Sequence, residues 1–114
     1  MKFIKKKNPR QFKPLKNIKL KDCGNIKLNI DEQFSLEFKK NISNDIVKKK
    51  WGYYLTNSIN HTLKKNNFRT AFVHSKSFNR TFINLVHKSK MKEFNKYLKE
   101  QNTEILIWLD EYDF

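Results

Sequence analysis

Apolar and polar residues alternate most regularly at Phe34, Leu36 and Phe38, with Ser35, Glu37 and Lys39 between them. A two-residue period places the three apolar side chains on one side of an extended chain. The segment therefore predicts a strand with one buried face. Upstream, Ile18 and Leu20 alternate, Asp22-Cys23-Gly24-Asn25 reads as a turn, and Ile26 and Leu28 resume the alternation. Residues 26–30 then predict a partner strand for 34–38, joined across Asp31-Glu32. Residues 41–50 are polar and predict no element.

Further along, the period changes. Ser58 can cap a helix over about 59–66, with Ile59 and Leu63 at i,i+4 on one face and Asn66-Asn67 as its stop. Residues 70–74 and 81–87, rich in β-branched and aromatic side chains, predict a hairpin with its loop at 75–79. Ser89 can cap a second helix to about 102, with Met91, Phe94, Tyr97 and Leu98 towards the core. Ile105 to Leu109 predicts a last strand. Residues 1–17 contain Pro9 and Pro14, which oppose a helix, and predict a flexible or extended basic arm. The expectation is an α+β fold, a mainly antiparallel sheet with two helices packed on one face. The arm would be followed by a single domain over 18–114.

The length of 114 residues suits one domain. Charge adds more to the picture. The net charge is +14, and residues 1–21 alone carry +9 with no acid, whereas residues 101–114 carry −4. Such an excess points to a nucleic-acid or anionic-membrane partner. Composition offers a second origin. Lys outnumbers Arg 22 to 3, and Lys, Asn, Ile and Phe make up about half of the chain, as codons rich in A and T dictate. The lone Cys23 has no partner thiol, no apolar run is long enough to span a membrane, and no apolar stretch follows the basic N-terminus. These features favour the cytoplasm and predict no membrane partner.

Chemistry-bearing residues are few. Lys48-Lys49-Lys50-Trp51-Gly52-Tyr53-Tyr54 interleaves ammonium groups with aromatic rings, the pairing that single-stranded nucleic-acid binders use. The structural alternative makes Trp51 and one Tyr core anchors. Arg69 to Val73 matches only part of the RNA-recognition-motif strand signature and lacks the residues that would stack bases. His61, His74 and His87 do not read as a zinc site, because His74 and His87 fall ~23 Å apart along the expected hairpin at ~3.3 Å per residue. Asn57, Ser58, Asn60 and His61 cluster at a helix start beside Trp51 and Tyr53, and could line a small anion pocket. No carboxylate completes a nucleophile–base pair there, so no catalytic residue is assigned. The acidic tail Asp110-Glu111-Tyr112-Asp113-Phe114 could fold back on the basic arm or meet a second subunit. Two glycines leave no room for a phosphate-binding loop, and no cofactor or metal is expected.

The run Trp51 to Leu63, then NFRTAFV, INLVHK, a helix with Phe94 and Tyr97-Leu98, and Trp108-Leu109, resembles short bacterial proteins associated with genes for cell-surface polysaccharide and sugar modification. The resemblance spans residues 50–110. It implies a globular bacterial domain and carries no activity.

Three functions follow from these features, the third being an enzyme or enzyme fragment in which Ser58, Asn60 and His61 line a pocket with Trp51 or Tyr53. The first is a small non-enzymatic cytoplasmic binding or accessory module for a protein or small molecule, with homodimerisation possible. Its ligand site would comprise Trp51, Tyr53, Asn57, Ser58, Asn60 and His61. The second is a nucleic-acid binder using Lys5, Lys6, Lys7 and Arg10 of the arm together with Lys48, Lys49, Lys50 and Trp51.

Overall fold

A computed structural model describes residues 1–15 and 18–112. Antiparallel sheet dominates it, with two α-helices. The chain divides into two compact units, residues 1–56 and 57–114.

The first unit opens with a two-stranded ribbon, β1 (Lys2–Leu15) against β2 (Ile18–Lys27). The basic segment read as an arm is therefore a strand with a partner. Its prolines are accommodated because each lies where the ladder is interrupted, Pro9 between Lys5 and Arg10 and Pro14 between Phe12 and Leu15. A missing N–H costs least at such a bulge. Lys16 and Asn17, also assigned to the arm, lie outside the described residues. Asp22 to Asn25 form no turn; they are interior to β2. Gly24 is there because backbone comes close. It has φ +139°, and a Cβ would sit 2.1 Å from the carbonyl oxygen of Ile4.

A three-stranded sheet completes this unit: β3 (Gln33–Lys39), β4 (Ile42–Lys49) and β5 (Gly52–Leu55), with β4 in the centre. Thus β3 pairs with the polar segment after it, and not with residues 26–30, where Ile26 faces Phe3 of β1. Asn41 (φ +65°) makes the reversal, and Ser35 Oγ donates to Asp45 Oδ1 across the strands at 2.6 Å. The expected buried face of β3 is also corrected. Leu36 and Phe38 are exposed, and only Phe34 is half-buried.

The second unit is built on β6 (Phe68–Ser75), flanked by β7 (Arg80–His87) and β8 (Thr103–Trp108). The β6–β7 hairpin has a four-residue loop, Lys76–Asn79. Helix α1 is one turn, Thr62–Lys65, shorter than expected. Its N-cap is His61, which makes no capping side-chain bond, and not Ser58; Ser58 lies outside the helix and accepts the Thr62 N–H at 2.9 Å, and Leu63 is buried. Helix α2 (Met91–Glu100) follows a 3-10 turn at Lys88–Lys90. His87, not Ser89, supplies the cap there, its ring nitrogen accepting from the Ser89 N–H. Leu98 packs with Ala71 and Val73 of β6, and Phe94, Ile105 and Trp108 lie against them. Tyr97, expected in the core, is exposed.

Candidate nucleic-acid interface

Lys48 to Leu55 form a tight hairpin. Lys49 pairs with Gly52, leaving Lys50 and Trp51 as its two-residue tip. Gly52 has φ +141°, which a side chain adopts only with strain. No atom lies within 4 Å of where its Cβ would be, so glycine is needed here for the backbone turn and not for space.

This geometry decides against the core-anchor reading of the aromatics. Trp51 is 71 % exposed, Tyr53 61 % and Tyr54 42 %. The Trp51 ring stacks on Tyr54, centroids 5.9 Å apart and planes at 27°. One face of the indole is thus supported by protein. Lys48 lies opposite Tyr53 on β5, and Lys50 is exposed beside Trp51. Lys49 is engaged with Asp31, which raises its pKa above the ordinary lysine value, mainly through the side-chain hydrogen bond. Lys48 and Lys50 make no ion pair among the described residues. By strand alternation Lys48 and Tyr53 share one face of the hairpin and Tyr54 lies on the other, so the ammonium group next to the supported Trp51 ring is that of Lys50 at the tip.

The surrounding unit is strongly positive. Residues 1–56 contain 15 basic and 5 acidic side chains, a net +10, against +4 for residues 57–114. Asp22 is occupied by Lys6, Asp31 by Lys49 and Glu32 by the α-ammonium of Met1. The Lys6 hydrogen bond holds the Asp22 carboxyl below its usual range. The backbone N–H of Asn29 and then the terminal ammonium do the same for Glu32.

The other selected residues are placed less favourably. Lys6 is spent on Asp22. Lys5 and Arg10 lie on the same side of the ribbon as Phe3 and Phe12, with Arg10 over the Phe12 ring at 4.7 Å. Lys7 is exposed within the interrupted part of the ladder. Trp51 and Tyr53 belong to the first unit, whereas Asn57, Ser58, Asn60 and His61 belong to the second. Ser58 is used locally, holding Thr62, and Asn60 and His61 are exposed. His74 and His87 face Thr81 and Phe68 at opposite ends of the β6–β7 hairpin. His87 lies edge-on to Phe68.

Arg69 forms a clamp that no motif in the sequence announces. Its guanidinium lies 3.9 Å from the Trp108 ring centroid, donates through Nε to Asp110 Oδ2 at 3.1 Å, and also reaches Glu111. Asp110 is buried and its Oδ1 accepts the Thr70 N–H. Asp110 and Glu111 of the acidic tail are thus fastened to β6; Asp113 and Phe114 lie outside the described residues. An open groove of about 420 Å³ runs past Lys64, Arg69, Lys88, Met91, Asp110 and Glu111, but its arginine is already committed to two carboxylates. Rarity was the available signal. In a chain of 22 Lys, an Arg marks a place that needs a planar fork or a stacking cation.

No known protein family, curated protein or solved structure matches the chain. The functional reading rests on its own geometry.

Proposed function

We propose that this chain is a non-enzymatic binding module whose first unit holds single-stranded nucleic acid at the β4–β5 hairpin. One observation carries the reading: Trp51, the most exposed large apolar side chain among the described residues, is backed by Tyr54 and stands beside Lys50 at the hairpin tip, with Lys48 and Tyr53 on the other face. An unpaired base stacks on the open indole face and the ammonium groups meet the adjoining phosphates. Each such stack is worth roughly 1–3 kcal/mol and tolerates any base. Exposed Cys23, without a partner thiol among the described residues, suits a reducing compartment.

Fluorescence anisotropy with labelled oligo(dT) and oligo(U) tests this. Trp51→Ala is expected to weaken binding about five- to hundredfold, the equivalent of roughly 1–3 kcal/mol. Tryptophan emission should be quenched on binding in the wild type and not in Trp51→Phe. Equal affinity of wild type and Trp51→Ala would remove the hairpin from the interface. A protein partner has one observation in its favour, the exposure of Leu36, Phe38 and Leu55 on the two edge strands of the three-stranded sheet. It becomes the better reading if no oligonucleotide binds at physiological salt.

A further inference from the structure

The β1–β2 ribbon has two unlike sides. Along β2, Ile18, Leu20, Asp22, Gly24 and Ile26 alternate with Lys19, Lys21, Cys23, Asn25 and Lys27. The cross-strand register adds Phe3, Lys5, Arg10 and Phe12 to the first side, and Lys2, Ile4 and Gln11 to the second. The second side therefore presents Lys2, Lys19, Lys21 and Lys27 with no acid among them. All four are exposed, and none is in an ion pair among the described residues. The one acid of the ribbon, Asp22, belongs to the other side and is held by Lys6. Lys2 and Lys27 stand directly opposite each other. Like charges at facing positions destabilise a ladder, and a polyanion lying across them removes that repulsion.

We propose that this lysine face binds duplex nucleic acid along its phosphates. The proposal rests on the nucleic-acid reading of the first unit and extends it to a second surface. What the face lacks points to a duplex. It has no aromatic side chain, so it offers unpaired bases nothing to stack on, unlike the Trp51 hairpin. A two-stranded ribbon fits the duplex major groove, about 12 Å wide. Ten residues of β2 extend ~33 Å, long enough to follow several base pairs. Lysine contacts to phosphates fix position and not sequence, so the affinity that these four lysines supply is insensitive to sequence. These contacts come from alternate positions on one side of a ribbon, a set that a count of charges along the chain does not reveal.

The test uses the full chain with Lys19, Lys21 and Lys27 each changed to Gln. A second variant, Lys92→Gln, Lys96→Gln and Lys99→Gln on α2, loses the same charge elsewhere. Circular dichroism checks that both fold, and affinities for mixed-sequence duplex DNA and oligo(dT) are measured across salt. The ribbon variant is expected to lose about tenfold or more on duplex, and several-fold less on oligo(dT). Its log–log salt slope on duplex should flatten by about 0.9 for each lysine that contacts a phosphate. The α2 variant should keep the wild-type duplex slope. Equal losses in the two variants would reduce the effect to net charge and overturn the proposal. So would tighter, ribbon-dependent binding to phosphatidylglycerol vesicles than to duplex. Binding of oligo(dT) without duplex would defeat the ribbon and leave the hairpin reading intact. Ribbon-dependent duplex binding without oligo(dT) binding would do the reverse.

Discussion

Residues 57–114 bury Leu63, Phe68, Ala71, Val73, Val86 and Leu98, and place a buried carboxylate on a stacked arginine. Among the described residues, the first unit buries only Leu28 and Val47 as apolar side chains, while carrying +10 of the +14 net charge. The two units are held by different physics. In the second, removal of apolar surface from water around β6 and α2 supplies the stabilisation. In the first, backbone ladders and surface ion pairs predominate, and exposed pairs contribute at most about 1 kcal/mol each. A two-stranded ribbon is marginal by itself. The unit with the smaller core also presents the aromatic and cationic groups. Side chains left out of a core are free to meet a ligand, and their exposure is what the binding proposals use.

The largest expected effect therefore falls in the second unit. Arg69→Ala removes the cation over Trp108 and leaves the buried Asp110 carboxylate without its partner. Breaking a buried pair in this way costs roughly 3–5 kcal/mol. Urea denaturation should show a large drop in midpoint with the slope unchanged. Arg69→Lys should restore little, because an ammonium cannot stack on the indole and reach two carboxylates with a planar fork. A midpoint shift of less than about 1 kcal/mol, the scale of a surface pair, would mean the clamp is peripheral and the contrast between the units overstated.

Two glycines separate steric from conformational constraint within the first unit. Gly24→Ala drives a methyl group against the Ile4 carbonyl, which is backbone and cannot rotate away. Hydrogen exchange should show protection lost along β1 and β2, with β6 amides the reference. Gly52→Ala meets open space, and its cost is the unfavourable φ alone, about 1–2 kcal/mol. Its effect should centre on β4 and β5. If the two substitutions cost the same, the ribbon is looser at Ile4 than the structure has it.

The same contrast governs what could be read from the sequence. Around β6, β-branched and aromatic runs bounded by turn residues locate strand, hairpin and final strand to within a few residues; β6 is the buried centre of its sheet, whereas Phe82, Ile83 and Leu106 on its neighbours are exposed. In the first unit, pattern and structure part company. Gly24 reads as a turn but serves close approach of β1. Pro9 and Pro14 read as breakers but sit in bulges. Ile42 to Lys49 looks too polar for a strand, yet a central β4 needs only backbone groups and two neighbours. The alternation at Phe34 to Phe38 correctly gives a strand, but alternation cannot say whether the apolar side is covered. Trp51 illustrates the same limit for the candidate site. Composition favours burying it, and only the two-residue tip at Lys50-Trp51 explains why it is exposed. The Arg69 clamp joins residues about forty positions apart in sequence, beyond the reach of any local pattern.

The smallest expected effect is the pH response of the first unit, and its sign is fixed. Asp22 and Glu32 have folded pKa values lowered, by the Lys6 hydrogen bond and by the Asn29 N–H respectively. Such groups stabilise fully above the unfolded carboxylate range, about pH 4, and that contribution is lost as pH falls through the lower folded values. Lys49 has the opposite shift, raised by Asp31, so its contribution is present below about pH 10 and is lost as pH rises through the folded value. All three groups are on the surface, so the changes should be small and sensitive to salt. Exchange protection at β1–β2 and at β3–β4 should decline first on acidification below about pH 4. Asp22→Asn with Glu32→Gln should remove most of that decline at low pH while lowering protection at neutral pH. An acid response unchanged in this double variant would place the titrating groups elsewhere, and would show that ladders and partial burial alone, without these ion pairs, hold the first unit together.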